Sequence, residues 1–85
     1  MFEVIYNKQA ERALLKLPDN LAKRIRKKMR IIAQNPYGHH NNVTKLKDRP
    51  GYRLRVGDWR VIYKILDGQV CILVVKIAPR GSVYR

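Results

Sequence analysis

The stretch Tyr52–Ile65, with the sequence YRLRVGDWRVIYKI, decides the fold class of this chain. Apolar and charged residues alternate on both sides of Gly57-Asp58, which is the pattern of a β-hairpin with a two-residue turn. That turn places Arg55 directly opposite Arg60, with Arg53 on the same face two residues away. Like charges that face each other across two strands destabilise the pair by up to about 1 kcal/mol. Three guanidinium groups on one patch are therefore either a solvated basic face or a phosphate-binding site.

The rest of the chain divides into helices and strands by the spacing of its apolar residues. Asn7 is a suitable N-cap for a first helix, Pro18-Asp19-Asn20 interrupts that helix and starts a second, and the second ends by Asn35. Residues 37–51 are polar and predict a loop. Strands are predicted over residues 2–6, 52–56, 59–66 and 69–77, the last two joined by a tight Asp67-Gly68 turn.

This order of elements, β-α-α-β-β-β, predicts an α+β domain in which an N-terminal helical hairpin packs on one face of an antiparallel sheet. Alternation along the hairpin assigns its faces. The residues expected to meet the helices are Tyr52, Leu54, Val56, Trp59, Val61, Tyr63 and Ile65. The residues expected on the opposite face are Arg53, Arg55, Arg60, Ile62 and Lys64. A slip by one residue would bury the arginines, so the side assignment is strongly determined.

Composition limits the classes of function. The chain has 85 residues, enough for one domain, and its formal net charge of +13 predicts a polyanionic partner. No apolar run approaches the roughly 20 residues of a membrane span, and the N-terminus does not have the pattern of a signal peptide. A single cysteine, Cys71, fits a reducing compartment, so a cytoplasmic location is expected.

The run KLKDRPGYRLRVGDWRVIYKILDG at residues 45–68, followed by PRGSVYR at residues 79–85, resembles the RelE/ParE superfamily of type II toxins, and the RelE branch most. The resemblance implies a ribosome-dependent mRNA endonuclease that uses no metal or cofactor. It also implies inhibition by an acidic antitoxin that wraps around the toxin. The family's site residues correspond here to Arg53, Arg55, Arg60, Arg80 and Tyr84. Many relatives carry His where this chain has Pro79.

The same resemblance implies transesterification, in which the RNA 2′-hydroxyl attacks the adjacent phosphorus and leaves a 2′,3′-cyclic phosphate. Arg60 and Arg80 would stabilise the transition state, Arg53 and Arg55 would position the phosphate, and Tyr84 would hold the neighbouring base. No residue stands out as the general base. Further candidates for RNA binding are Lys45, Lys47, Lys64, Lys23, Arg26, Lys27 and Arg30.

Two other functions remain open at this stage. A ParE-like toxin has the same architecture but inhibits DNA gyrase and is not a nuclease. A small basic RNA-binding module would explain the composition, but it would leave the Arg55–Arg60 pairing without a reason.

Overall fold

The computed structural model describes residues 1–79, which form two helices and a five-stranded sheet. The elements are β1 (Glu3–Tyr6), α1 (Lys8–Lys16), α2 (Asp19–Gln34), β2 (Val43–Lys45), β3 (Tyr52–Val56), β4 (Trp59–Leu66), a 3₁₀ turn (Asp67–Gln69) and β5 (Cys71–Pro79). Both helices lie against one face of the sheet, so the predicted α+β architecture is confirmed. No helix within residues 1–79 is long and apolar enough to cross a membrane.

The helices begin and end where the sequence predicts. The Asn7 side chain accepts a hydrogen bond from the backbone N–H of Ala10 at 2.9 Å, which satisfies one of the free donors at the start of α1. Helix α1 ends at Lys16, and Pro18 is the N-cap residue of α2. Because the break between the helices is only two residues long, α1 and α2 form a hairpin that covers the sheet.

The sheet has the strand order β1-β5-β4-β3-β2 and is mixed, whereas the sequence predicted an antiparallel sheet. Strand β1 pairs in parallel with β5, and the other three pairings are antiparallel. Strand β2 lies inside the segment predicted to be a loop and pairs with β3 from Val43 opposite Leu54 to Lys45 opposite Tyr52. Three polar or mixed residues carry too little periodicity to identify such a strand, which exists because β3 offers it a free edge.

The two faces of the hairpin are as predicted. Leu54, Val56, Val61 and Tyr63 are buried in the main core with residues of both helices. The opposite face carries the arginines and one buried apolar residue, Ile62. Its neighbours on that face, Ala78, Leu46 and Val75, shield it from solvent in a second, smaller cluster.

The connection between the last two strands differs from the predicted two-residue turn. Residues 67–69 form a 3₁₀ turn, Val70 adopts a left-handed conformation with φ 50°, and β5 begins at Cys71. A bulge follows, because Ile62 pairs with Lys76 whereas Tyr63 pairs with Val74. The longer connection and the bulge together set the register that brings Pro79 opposite Trp59.

Candidate functional site

Two arginines face each other on the side of the sheet that the helices leave uncovered. Arg55 of β3 lies directly opposite Arg60 of β4, and Arg53 pairs with Ile62 on the same face. Arg60 is 9% exposed, whereas Arg55 is exposed. A guanidinium group that is largely withdrawn from water beside a second one makes a strongly positive local field, because burial weakens solvent screening.

A depression of about 390 Å³ opens over this pair. The residues lining it are Asn42, Arg55, Gly57, Asp58 and Arg60. Gly57 has φ 59°, a conformation that L residues rarely adopt, and this tight turn holds the two strands together at the floor of the depression. Because arginine presents a planar fork of N–H donors that matches phosphate oxygens, two such groups in one depression suit a phosphodiester.

Asn42 and Asp58 line the depression but were not among the predicted site residues. The carbonyl of Asn42 accepts a hydrogen bond from the backbone N–H of Arg55 at 2.9 Å, and Asn42 itself is left-handed, with φ 66°. The only sequence signal for Asn42 is that asparagine tolerates this conformation. Asp58, which the sequence predicts only as a turn residue, also supplies a carboxylate to the lining of the same depression.

The predicted lysines of this region separate onto different surfaces. Lys47 and Arg53 line a second, smaller depression of about 220 Å³ beside the first strand of the hairpin. Lys64 is exposed and shares its face with Arg60, because it lies four residues further along β4. Lys45 lines the same depression as Lys47 and Arg53, and its cross-strand partner is Tyr52.

The predicted Arg80 and Tyr84 lie outside the described residues. The described part of β5 ends at Pro79, opposite Trp59 and one residue before Arg80 in the chain. Strand β5 therefore carries the backbone to the side of Arg60, whose own pairing partner is Ala78.

The cations of α2 also divide into two groups. Lys23 and Lys27 are exposed, and Arg26 and Arg30 line a groove beside β1. The Arg26 guanidinium carbon lies 5.1 Å from the centre of the Tyr6 ring, a cation–π arrangement. Burial raises the pKa of the Tyr6 hydroxyl, and the positive charges of Arg26 and Arg30 oppose that rise. These two arginines therefore act on β1, a role that helical periodicity alone does not indicate.

The loop before β2 provides no metal site. Within residues 1–79 no group of three or more His, Cys, Asp or Glu side chains is placed to hold a metal ion. His40 contacts the carbonyl of Asn35 through its Nε2 atom at 2.7 Å, which ties the loop to the end of α2. The depression at Arg55 and Arg60 is thus the arrangement of described residues best suited to bind an anion.

Comparison with known proteins gives the relatives of this chain. Residues 4–84 match a family model described as the ParE toxin of type II toxin–antitoxin systems. A protein of Escherichia coli described as a RelE-like toxin is 26% identical over 86 residues, covering 99% of this chain and 90% of its own. The archaeal RelE in the RelE–RelB complex of Pyrococcus horikoshii OT3 is 32% identical, with a TM-score of 0.81 and coverage of 95% and 97%.

A fourth comparison concerns the fold alone. The isolated RelE toxin of Escherichia coli superimposes with a TM-score of 0.80 over 99% of this chain and 92% of its own, at 21% identity. The family model carries the name of the ParE branch, and the two solved structures described above carry that of the RelE branch. The comparisons therefore identify the superfamily, and the choice between the branches depends on the residues of the site.

Proposed function

Because this chain belongs to the RelE/ParE superfamily of type II toxins, we propose that it is a metal-independent endoribonuclease that cleaves mRNA on the ribosome. The proposal places the reaction in the depression over Arg55 and Arg60. It makes the chain an enzyme that arrests translation. In this proposal the acidic partner expected from the net charge of +13 is an antitoxin.

The observation that carries this proposal is the direct opposition of Arg55 and Arg60 on the uncovered face. Two like charges at adjacent positions of a ladder reduce stability, and such local conflicts tend to mark functional sites. Threonine at either position would suit the strand and would remove the repulsion. A phosphodiester between the two guanidinium groups turns the repulsion into attraction, because it brings negative charge between them.

The chemistry follows from what a guanidinium group can and cannot do. The 2′-oxygen of the RNA forms a bond to the adjacent phosphorus while the bond from phosphorus to the 5′-oxygen of the next nucleotide breaks. Negative charge accumulates on the non-bridging oxygens, and the largely buried Arg60 stabilises that charge. Arg53 and Arg55 hold the phosphate in place, and Arg80 and Tyr84 complete the site in the proposal.

Proton transfer needs other groups, since arginine stays protonated near neutral pH and cannot accept the proton of the 2′-hydroxyl. The product is a 2′,3′-cyclic phosphate and a free 5′-hydroxyl, so one proton leaves the nucleophile and one reaches the leaving oxygen. We assign neither transfer to a residue of the chain. A site that is rich in electrostatic stabilisation and poor in bases accords with an enzyme that relies on the ribosome to orient its substrate.

The proposed partner is an antitoxin. The RelE of Pyrococcus horikoshii was solved as a complex with RelB, and its chain is 32% identical to this one. By analogy, we propose that this chain binds a cognate acidic antitoxin that wraps around it and neutralises part of its charge. Lys23, Lys27, Lys47 and Lys64 are exposed and would contact ribosomal or messenger RNA when the antitoxin is absent.

A second candidate is the inhibition of DNA gyrase, which the name of the matching family model favours. A gyrase inhibitor would not need Arg55 and Arg60 to share a depression that fits a phosphodiester. Mapping of 5′ ends in cells that express the chain separates the two. Cleavage within codons of translated mRNA supports the nuclease, whereas intact mRNA together with broken DNA and an SOS response supports the gyrase inhibitor.

Variants show whether the proposed site is responsible. Arg60→Ala and Arg80→Ala are each expected to abolish growth arrest while circular dichroism shows that the fold is retained. Arg12→Ala on the exposed side of α1 removes the same charge on the helical side of the sheet, outside the depression over Arg55 and Arg60, and serves as the matched control. Growth arrest that persists in the Arg60→Ala/Arg80→Ala double variant would contradict the proposed site.

A further inference from the structure

The bulge in β5 turns the Lys76 side chain onto the face of the sheet that carries the arginines. Tyr63 pairs with Val74. A regular ladder would then pair Ile62 with Val75 and turn Lys76 toward the helices. In the structure Ile62 pairs with Lys76 instead, and Val75 is the extra residue. Bulges beside active sites often redirect a side chain in this way, so the position of Lys76 calls for a functional reason.

Lys76 lies between Arg60 and Lys64 on the uncovered face. Its cross-strand partner, Ile62, is two residues from each of them along β4. Diagonal neighbours on one face of a sheet are about 7–8 Å apart, a distance that long side chains span. Lys76 is half-buried beside Ile62, which is only 6% exposed. Arg60, Lys76 and Lys64 therefore form a row of cations that begins at the depression and leads away from it.

The strands that carry this row provide no negative charge. Strands β3, β4 and β5 contain no Asp or Glu. The charged residues on their uncovered face are all cations: Arg53, Arg55, Arg60, Lys64 and Lys76. Like charges on one face of a sheet repel each other. A single phosphate in the depression offsets the repulsion between Arg55 and Arg60 only, whereas a longer polyanion offsets it along the whole row.

We propose that Lys76 binds the phosphate next to the scissile one, and that Arg60, Lys76 and Lys64 form a track for one RNA strand across the uncovered face. Proteins that bind single strands commonly use a positively charged surface that follows the backbone. The proposal rests on the proposed function in that the bound RNA is the substrate. It adds Lys76, a residue outside the lining of the depression, to the residues that hold this substrate.

A purely structural role for Lys76 would need only its aliphatic stem, which covers Ile62. Methionine is also unbranched and flexible, so it fills the same space without a charge. Lys76→Met therefore removes the charge and keeps the packing. Lys16→Met removes the same charge from the exposed side of α1, on the helical side of the sheet, and is the matched control.

The first test measures how tightly the purified chain binds a fluorescein-labelled, fully 2′-O-methylated U6 oligonucleotide. This RNA has no 2′-hydroxyl that can attack phosphorus, so binding is measured without cleavage. Fluorescence anisotropy is recorded over a series of NaCl concentrations. Lys76→Met should weaken binding about fivefold at low salt. It should also lower the slope of log K against log salt by about 0.7, the value for one phosphate contact of a single strand.

The control variant decides whether position or net charge is responsible. Lys16→Met should leave the salt slope unchanged. An unchanged slope in Lys76→Met, or equal effects of the two variants, would overturn the proposal. Failure of the wild-type chain to bind this RNA at low salt would overturn it as well.

A second test locates the bound RNA by NMR titration of the wild-type chain with the same oligonucleotide. Backbone amide signals of residues 60–64 and 75–77 should shift, whereas that of Lys16 should not. Shifts confined to the two helices would contradict the track.

These binding tests and the mapping of 5′ ends fail independently of each other. A chain that binds RNA along the track but leaves mRNA intact refutes only the nuclease. A chain that cleaves mRNA although Lys76→Met keeps the wild-type salt slope refutes only the track.

Discussion

The mutual repulsion of Arg55 and Arg60 can be measured with a double-mutant cycle of Arg55→Gln, Arg60→Gln and the double variant. The two residues are cross-strand partners, with Cβ atoms about 5 Å apart by ladder geometry. Two unit charges about 6 Å apart repel by about 0.7 kcal/mol in water and by about 2.8 kcal/mol at an effective dielectric constant of 20. Arg55 is exposed and Arg60 is 9% exposed, so we expect about 1 kcal/mol at low salt.

Either single substitution removes the whole repulsion, so the second one gains nothing further from this source. The free energies of unfolding, measured by urea denaturation, should therefore be non-additive by about 1 kcal/mol. The coupling should shrink at 1 M NaCl, where the screening length falls to about 3 Å. Additivity within about 0.3 kcal/mol, or a coupling that does not change with salt, would refute the reasoning.

Removing the repulsion should increase the stability of the fold but decrease mRNA cleavage. Arg55→Gln should raise the melting temperature by a few degrees, since about 1 kcal/mol corresponds to about 4–8 °C for a domain of this size. The same substitution should reduce mRNA cleavage in cells, because it removes a group that holds the phosphate. A variant that is both more stable and fully toxic would show that the pair does not serve the proposed reaction.

Three further predictions concern the turns and the core, each checked by thermal and urea denaturation. Gly57→Ala should destabilise the fold by about 1 kcal/mol because of the positive φ of 59°, whereas Gly68→Ala, which has open space at its Cβ and no positive φ, should be neutral or slightly stabilising. Val70→Asn should stabilise it by about 1 kcal/mol, because a β-branched residue is strained at φ 50° and half of the Val70 side chain is exposed. Tyr63→Phe should stabilise it by about 1 kcal/mol, since the buried Tyr63 hydroxyl finds no hydrogen-bond partner among residues 1–79. Burial raises the pKa of Tyr63 to about 12, so the wild-type chain should lose stability between about pH 10 and pH 12, and the variant should lose less.

The hairpin shows which features a sequence can specify locally. Alternation in Tyr52–Val56 and Trp59–Leu66 determines which side chains meet the helices, because a slip of one residue would bury charged groups. The Gly57-Asp58 turn fixes the register, so the opposition of Arg55 and Arg60 follows from adjacent residues alone. Both features depend on interactions within about 15 residues of chain, where the sequence carries all the information.

Features that depend on distant segments could not be predicted in the same way. The alternation of residues 3–6 identifies a strand but not its partner or its direction, and the parallel pairing with β5 depends on how two helices return the chain. Val43–Lys45 becomes a strand only because β3 has a free edge. The left-handed Val70 and the bulge in β5 are imposed by the register of the whole sheet, against the local preference for a tight Asp67-Gly68 turn.

The sequence by itself determined the α+β class, the faces of the hairpin and the clustering of Arg53, Arg55 and Arg60, because periodicity and turn chemistry act between near neighbours. The tertiary structure decided which other groups share those surfaces. It placed Asn42 and Asp58 beside the arginine pair, and it set Arg26 against Tyr6 at the open edge of β1. Such neighbours are brought together by packing of segments that are remote in the chain, and no local pattern of residues encodes that packing.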